Sequence, residues 1–374
     1  MSCPRLISYI SFVTNKEIIG RRLANQLITA NHPSSPGEVV ASMGALQAQD
    51  YGMSKWAVGL RMNKGTQEIV EQALDQGQIL RTHVLRPTWH LVHQKDIRWM
   101  LALSGPRLQA RLAAAQGKMG LSKDIFVRSK KIIEKALAKE QRLTRPELKV
   151  RLEKAKIPTD EYRLLHIMMH AELDALVCSG PRQGKQFTYE LMDQRIPPSG
   201  ESKLSVDESI AELARRYFTS HGPATLHDFA WWSGLSITEA KRGIEMNSAR
   251  WHHFTAAGRT YWFTDAPDPS SKASPDPPSS SKFRGVLLLP AFDELIISYA
   301  DRSALVATEM EQHVFTKNGI FRPVILVSEK WVGVWSRIEK KDKVLVERKL
   351  VHPVSATSEK AIMAACKKYS KFFD

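Results

Sequence analysis

The strongest constraint on this chain is an arrangement that recurs three times: a helix, a second helix opened by a capping signature, a third helix and a short hairpin. In the first pass a helix is expected around Lys16–Ala30, and Ser35-Pro-Gly-Glu38 opens the next, serine capping the first turn and glutamate answering three residues later. A helix around Ser54–Met62 and another near Thr66–Gln76 follow. Two strands, LRTHVL and TWHLV, then meet at Arg86-Pro87. The second pass runs through Ile125–Lys139, the box Thr144-Arg-Pro-Glu147 and a long helix at Tyr162–Ser179, and reaches a hairpin at Gly180–Leu191. The third has Val206–Ser220, the opening Thr225-Leu-His-Asp228, a start at Ser236-Ile-Thr-Glu239 and the aromatic hairpin RWHHFTAAGRTYWF. This order is the plan of a winged helix, a relative of the helix-turn-helix whose third helix can enter a DNA groove.

The remaining chain divides accordingly. Residues 1–115, 116–203 and 204–264 are expected as three winged helices, and 265–282, rich in Pro and Ser, as a linker loop. Strands such as GVLLLPAF and PVILVSEKWVGVWSRI, with a helix at Ser358–Tyr369, make 283–374 a small β-barrel-like domain. The fold class expected is α+β. With 374 residues the chain exceeds one ordinary core, which agrees with several units.

A formal net charge of +15 gives a surface field that attracts polyanions, and each cation that neutralises a phosphate releases a counterion. The cysteines Cys3, Cys178 and Cys366 form no CxxC pair, which fits a reducing compartment and no disulfide framework. The apolar start MSCPRLISYI is short and carries no cleavable signal pattern, and no long apolar run follows. A soluble, cytoplasmic, nucleoid-associated monomer without membrane contact is expected.

No Walker loop, GxGxxG, HExxH or GxSxG occurs. Three local features carry chemistry. In Gly44-Ala-Leu-Gln-Ala-Gln-Asp50, Gln47 and Gln49 are two residues apart. On a helix such residues point apart, whereas in an extended turn they face one side. Two neutral carboxamides then offer donors and acceptors for a water molecule; capping and backbone bonding are the structural alternative, and Asp50 can cap the next helix. His83, His90 and His93 beside Trp89 include an HxxH pair without a third ligand, so contact with phosphate or a minor groove competes with packing, and no metal is expected. Asp293 and Glu294 are expected to hydrogen-bond at a strand end, since strand neighbours face opposite ways. Trp231, Trp232 and Trp251 are expected to pack the third unit.

Taken together, LQAQD followed by KWAVGLR, then ILRTHVLRPTWHLV, DIRWMLALSGPR, PATLHDFAWWSGLS and LLLPAFDELIISYADR resemble the AlkZ-like (AlkZ/YcaQ) winged-helix DNA glycosylases, in the family's order from residue 14 to near residue 335. The resemblance implies three tandem winged helices and a β-barrel cradling duplex DNA, with hydrolysis of the N-glycosidic bond of N7-alkylated purines and unhooking of interstrand crosslinks in the AlkZ branch. The YcaQ branch has Gln-x-Asp where this chain has Gln47-Ala48-Gln49, so the catalytic pair maps onto Gln47 and Gln49. The expected activity is that of a monofunctional glycosylase without cofactor. Expected DNA contacts are His83, His90, Arg61, Arg81 and Arg86, with Arg182 and Lys185 on the second wing adding phosphate affinity. The competing readings are a non-enzymatic winged-helix DNA-binding protein or transcriptional regulator, and an interaction protein recruiting repair partners through its β domain.

Overall fold

The computed structural model describes residues 14–198, 204–264, 283–316, 318–340 and 343–373, so the expected 265–282 linker lies outside the described residues. In chain order the helices are α1 (Asn15–Asn25), α2 (Pro36–Met43), α3 (Tyr51–Leu60), α4 (Gln67–Asp75), α5 (Ile97–Lys118), α6 (Lys123–Glu140), α7 (Arg145–Lys154), α8 (Glu161–Leu173), α9 (Met192–Arg195), α10 (Val206–His221), α11 (Leu226–Ser233), α12 (Ile237–Met246), α13 (Glu294–Ile297), α14 (Glu311–Val314) and α15 (Ala356–Lys371). The strands are β1 (Ala45–Gln47), β2 (Ile79–His83), β3 (Trp89–His93), β4 (Arg142–Thr144), β5 (Val177–Gln183), β6 (Gln186–Leu191), β7 (His252–Ala256), β8 (Arg259–Phe263), β9 (Val286–Leu289), β10 (Val324–Val327), β11 (Lys330–Lys340) and β12 (Lys343–Leu350). The chain is thus of mixed helix and sheet.

Local chemistry fixes most starts. Ser35 with Glu38, Thr144 with Glu147, Thr225 with Asp228 and Ser236 with Glu239 all form reciprocal capping boxes. Asp50 accepts from the Met53 N–H at 3.0 Å, so α3 begins at Tyr51, three residues ahead of the expected Ser54. The described residues fall into two compact units, one drawn from Met1–Val70 and Ile210–Asp374, the other Glu71–Ser209.

In the Glu71–Ser209 unit, β2 and β3 form an antiparallel hairpin and β4, β6 and β5 a three-stranded sheet. Phe126, Ile133, Leu137, Leu148, Leu152 and Ile167 make a common core for α6, α7 and α8. The helix expected over Tyr162–Ser179 stops at Leu173: Ala175 takes a left-handed φ of 54°, and Val177–Ser179 pair with β6 instead. A short apolar run satisfies a buried strand as well as a helix, and here the sheet takes it. Helix α5 runs through Pro106 and packs on α8; a Cβ on Gly105 would stand 2.5 Å from the Leu173 carbonyl oxygen, so only glycine permits that approach.

In the other unit, α10, α11 and α12 pack around Tyr217, Phe218, Phe229 and Trp232, followed by the β7–β8 hairpin. The C-terminal strands correct one expectation. They form an open antiparallel sheet in the order β12-β11-β10-β9, not a closed barrel among the described residues. Four strands leave β9 and β12 as unpaired edges, and α15 packs against both, so a helix covers this sheet where a barrel would wrap upon itself.

Candidate functional site

Helix α2 ends on Gly44, whose φ of 77° turns the chain out of the helix, a geometry that favours glycine. Strand β1 follows, and Asp50, itself extended at φ −96° and ψ 108°, opens α3. Gln47 and Gln49 therefore stand on a non-helical stretch bracketed by a glycine exit and an aspartate cap. Ala45, Leu46 and Ala48 are completely buried, which fixes the backbone. Gln47 is 5% exposed and Gln49 lies open to solvent.

The Gln47 N–H donates to Glu294 Oε1 at 2.6 Å. Glu294 opens α13 and is buried. Its Oε2 accepts from Trp232 Nε1 at 3.1 Å and from Ser298 Oγ, and His221 Nε2 stands 3.6 Å away, beyond hydrogen-bond reach. Burial opposes ionisation of this carboxyl; its donors and the His221 ring outweigh burial and bring it down to about 2. Burial also holds His221 below the usual imidazole range, against the pull of Glu294. The Gln47 peptide is one of the fixed dipoles that carry the Glu294 anion.

Neighbouring Asp293 caps α13 and pairs with both terminal nitrogens of Arg61, at 2.9 and 3.0 Å. Arg61 Nη2 also donates to Gln26 Oε1, Gln26 Nε2 to the Tyr299 hydroxyl, and that hydroxyl to the His221 carbonyl. Trp56 Nε1 donates to the Leu288 carbonyl at 2.7 Å, tying α3 to β9. A continuous buried polar assembly therefore holds the end of β1 from beneath.

The sequence profile of the AlkZ-like DNA glycosylases matches residues 40–372. The chain belongs to that family. It is similar to the interstrand DNA cross-link repair glycosylase of Streptomyces sahachiroi, at 22% identity over 338 residues covering 87% of this chain and 88% of the relative. The solved structure of the Streptomyces sahachiroi DNA glycosylase AlkZ shares the fold, with a TM-score of 0.72, 18% identity and 95% of each chain covered.

Within this AlkZ-like chain the residues expected at DNA separate into two groups. Arg61 is a correction: it is 0% exposed, and both its terminal nitrogens are held by Asp293, so it does not reach a phosphate at the surface. Its apolar neighbours in KWAVGLR make α3 a core helix, which carries Arg61 inward. His83 and His90 are enclosed too. His83 Nδ1 lies 2.7 Å from Glu172 Oε2 and its ring 3.8 Å from that of Trp89, while His90 Nδ1 lies 2.9 Å from the Thr88 carbonyl. As placed, neither presents a surface to DNA. Arg81 is buried against the Trp89 and Phe187 rings. Arg86 and Arg182 are half-buried, and Lys185 is exposed.

Trp232 packs as expected but also donates to Glu294, and Trp231 Nε1 donates to the Ile297 carbonyl at 2.8 Å. Sequence reasoning missed Gln26, His221 and Tyr299. The one local signal was a pair of carboxylates inside the apolar run LLLPAFDELII, which have to be satisfied by something distant. Among the described residues no three His, Cys, Asp or Glu side chains gather as a metal site, and no helix is long and apolar enough to cross a membrane.

Proposed function

We propose that this AlkZ-like protein hydrolyses the N-glycosidic bond of N7-alkylated purines in double-stranded DNA and unhooks interstrand crosslinks, with a water positioned by Gln47 and Gln49; its Streptomyces relative is named an interstrand cross-link repair glycosylase. Alkylation at N7 makes guanine a cation that departs neutral, so no general acid is needed. Water adds at C1′, the C1′–N9 bond breaks with its electron pair going to the base, and the water's proton passes to solvent. What the protein supplies is orientation and dipoles fixed in advance around a sugar of oxocarbenium character. The enclosed Gln47 amide is oriented before substrate arrives, and the open Gln49 meets water. A neutral amide is a weak base, which restricts the reaction to labile cationic lesions. With water as the sole nucleophile the enzyme is monofunctional.

The observation that carries this reading is the non-helical stretch between Gly44 and Asp50, with β1 ending at Gln47 and the chain bending at Gln49 and Asp50, so the two amides are not turned apart as they would be on a helix. Three further features belong to the proposal. The helix and hairpin order of 1–115, 116–203 and 204–264 supports three winged helices, with 283–374 following them. Arg86, Arg182 and Lys185 grip phosphate. The protein works as a cytoplasmic, nucleoid-associated monomer, its net charge of +15 drawing it to DNA.

The test is incubation with duplexes carrying N7-methylguanine or a nitrogen-mustard crosslink, followed by alkali to cleave at abasic sites. Wild type should cleave; Gln47→Ala and Gln49→Ala should lose cleavage while retaining DNA binding and a cooperative melt. A wild-type protein inert on every N7-alkylated duplex sinks the proposal and leaves a DNA-binding regulator.

A further inference from the structure

The positive charge of this chain is unevenly placed. Residues 107–156 hold 15 Lys and Arg against 5 Asp and Glu, so two-thirds of the formal charge of +15 falls in that one stretch, inside the Glu71–Ser209 unit. On α6, Phe126, Ser129, Ile133 and Leu137 turn inward to the core that α7, α8 and Tyr189 of β6 share. At about 100° per residue, Arg128, Lys131, Lys135 and Lys139 fall together on the opposite face, a row of roughly 16 Å, and all four are exposed. Among the described residues Lys131, Lys135 and Lys139 pair with no carboxylate. Arg128 makes a loose 3.6 Å pair with Asp124. It also donates from Nη2 to the Ala155 carbonyl at 3.1 Å, which brings the exposed Lys154 and Lys156 alongside the row. Lysines four apart repel, at about 0.2–0.5 kcal/mol per pair, and Glu134 stands only at the flank. A face that merely had to stay wet would interleave the two signs along the row.

We infer that this face of α6 binds the phosphate backbone of a second DNA duplex, so that one molecule holds two duplex segments. The β5–β6 hairpin, which carries Arg182 and Lys185, packs on the core side of α6, so the row points away from it. Duplex DNA is stiff over about 150 bp, and a segment seated on the hairpin would have to bend sharply to reach the far face of the same unit. A duplex carries one phosphate per about 1.7 Å of axis, enough for every lysine of the row to meet one. Membership in a DNA glycosylase family makes DNA the favoured polyanion. Capture of undamaged DNA needs no turnover, so it stands apart from the chemistry assigned to Gln47 and Gln49.

In the test, the full chain is loaded on an undamaged duplex fixed to beads and capture of a second, fluorescent duplex is measured, while anisotropy follows binding of a single duplex. Wild type should capture the second duplex. The slope of log capture affinity against log salt, between about 50 and 200 mM, should become about 0.9 shallower in Lys135→Gln. A triple variant, Lys131→Gln with Lys135→Gln and Lys139→Gln, should weaken capture by at least about tenfold and leave single-duplex affinity within about threefold. It should melt no lower than wild type, because neutral glutamines relieve the repulsion along the helix. A wild-type protein that binds one duplex and captures no second overturns the inference and leaves the glycosylase reading standing. Capture that ignores the triple substitution also overturns it. Binding of phosphatidylserine vesicles in place of the second duplex, lost in the triple variant, assigns the row to a membrane surface and overturns it as well.

Discussion

Glu294→Gln is the most informative single perturbation, because it keeps the side chain's shape and removes only the charge that anchors β1. Glu294 Oε1 serves one donor, the Gln47 N–H at 2.6 Å, while Oε2 serves two, Trp232 Nε1 and Ser298 Oγ. A carboxamide has one oxygen, which will turn toward the two-donor side. Its NH2 then faces the Gln47 N–H, two donors at a spacing that only a hydrogen bond tolerates. Leaving that peptide unmet costs about 1–3 kcal/mol. Losing charge assistance on the other two bonds costs about 1 kcal/mol each, partly offset because a neutral group is cheaper to bury. The sum is about 2–4 kcal/mol of stability, concentrated at the end of β1.

The functional consequence follows from position. Repulsion moves the Gln47 backbone by a fraction of an ångström to about 1 Å, and a displacement of that size costs on the order of 100-fold in rate. The assay is single-turnover release of N7-methylguanine from a duplex, with DNA affinity measured by anisotropy. The rate in the folded fraction should fall about 100-fold with affinity nearly unchanged, the mark of a positioning residue and not of a DNA contact. Ser298→Ala removes one donor and leaves the carboxylate, so its rate should stay within about fivefold of wild type. Wild-type release by a Glu294→Gln protein with an unaltered melt would refute the reasoning, as would a loss accounted for wholly by unfolding.

Arg61→Met strands the buried Asp293 charge and should cost about 3–5 kcal/mol in denaturant melts while leaving the salt dependence of DNA binding intact. Lys185→Glu should do the reverse; equal effects of the two on salt dependence would return Arg61 to the DNA surface. Acid should destabilise the protein in two stages. His221 is depressed, so the unfolded chain binds its proton first and stability falls as pH drops below about 6.5; Glu294 is depressed too, and its contribution, present above about 4.3, is lost as pH falls toward about 2. A His221→Gln variant whose melt declines between pH 7 and 5 as steeply as wild type argues against the first stage. Gly105→Ala normally stabilises a helix interior by about 1 kcal/mol; here its Cβ meets the Leu173 carbonyl oxygen at 2.5 Å, so a loss of about 1–3 kcal/mol is expected, and a raised melting temperature contradicts the packing of α5 on α8.

What the sequence revealed and concealed divides along sequence distance. Capping boxes at Ser35, Thr144, Thr225 and Ser236 were legible because donor and acceptor lie within one turn. The departure from helix at Gln47 and Gln49 was legible because Gly44 and Asp50 bracket it. Helix α5 was not, since Gly105-Pro106 reads as a break; Gly105 is there to let Leu173 approach. Strand density foretold the C-terminal sheet but not its openness, because closure is decided by whether the edge strands pair, which no local pattern encodes. The partner of the Gln47 N–H lies 247 residues away, and nothing in the spacing of either residue points to the other.

Contacts over such distances tie together segments that lie far apart in the chain. LQAQD supplies Gln47, KWAVGLR supplies Trp56 and Arg61, PATLHDFAWWSGLS supplies Trp232, and LLLPAFDELIISYADR supplies Asp293, Glu294 and Tyr299. Each contributes a polar group whose partner is in another segment: Gln47 and Trp232 on Glu294, Arg61 on Asp293, Trp56 on the Leu288 carbonyl. A buried charge left alone is far costlier than a satisfied one, so losing any segment's contribution destabilises the others. The same coupling makes the end of β1 stiff, and stiffness is what two uncharged amides require if they are to act by position instead of by acidity.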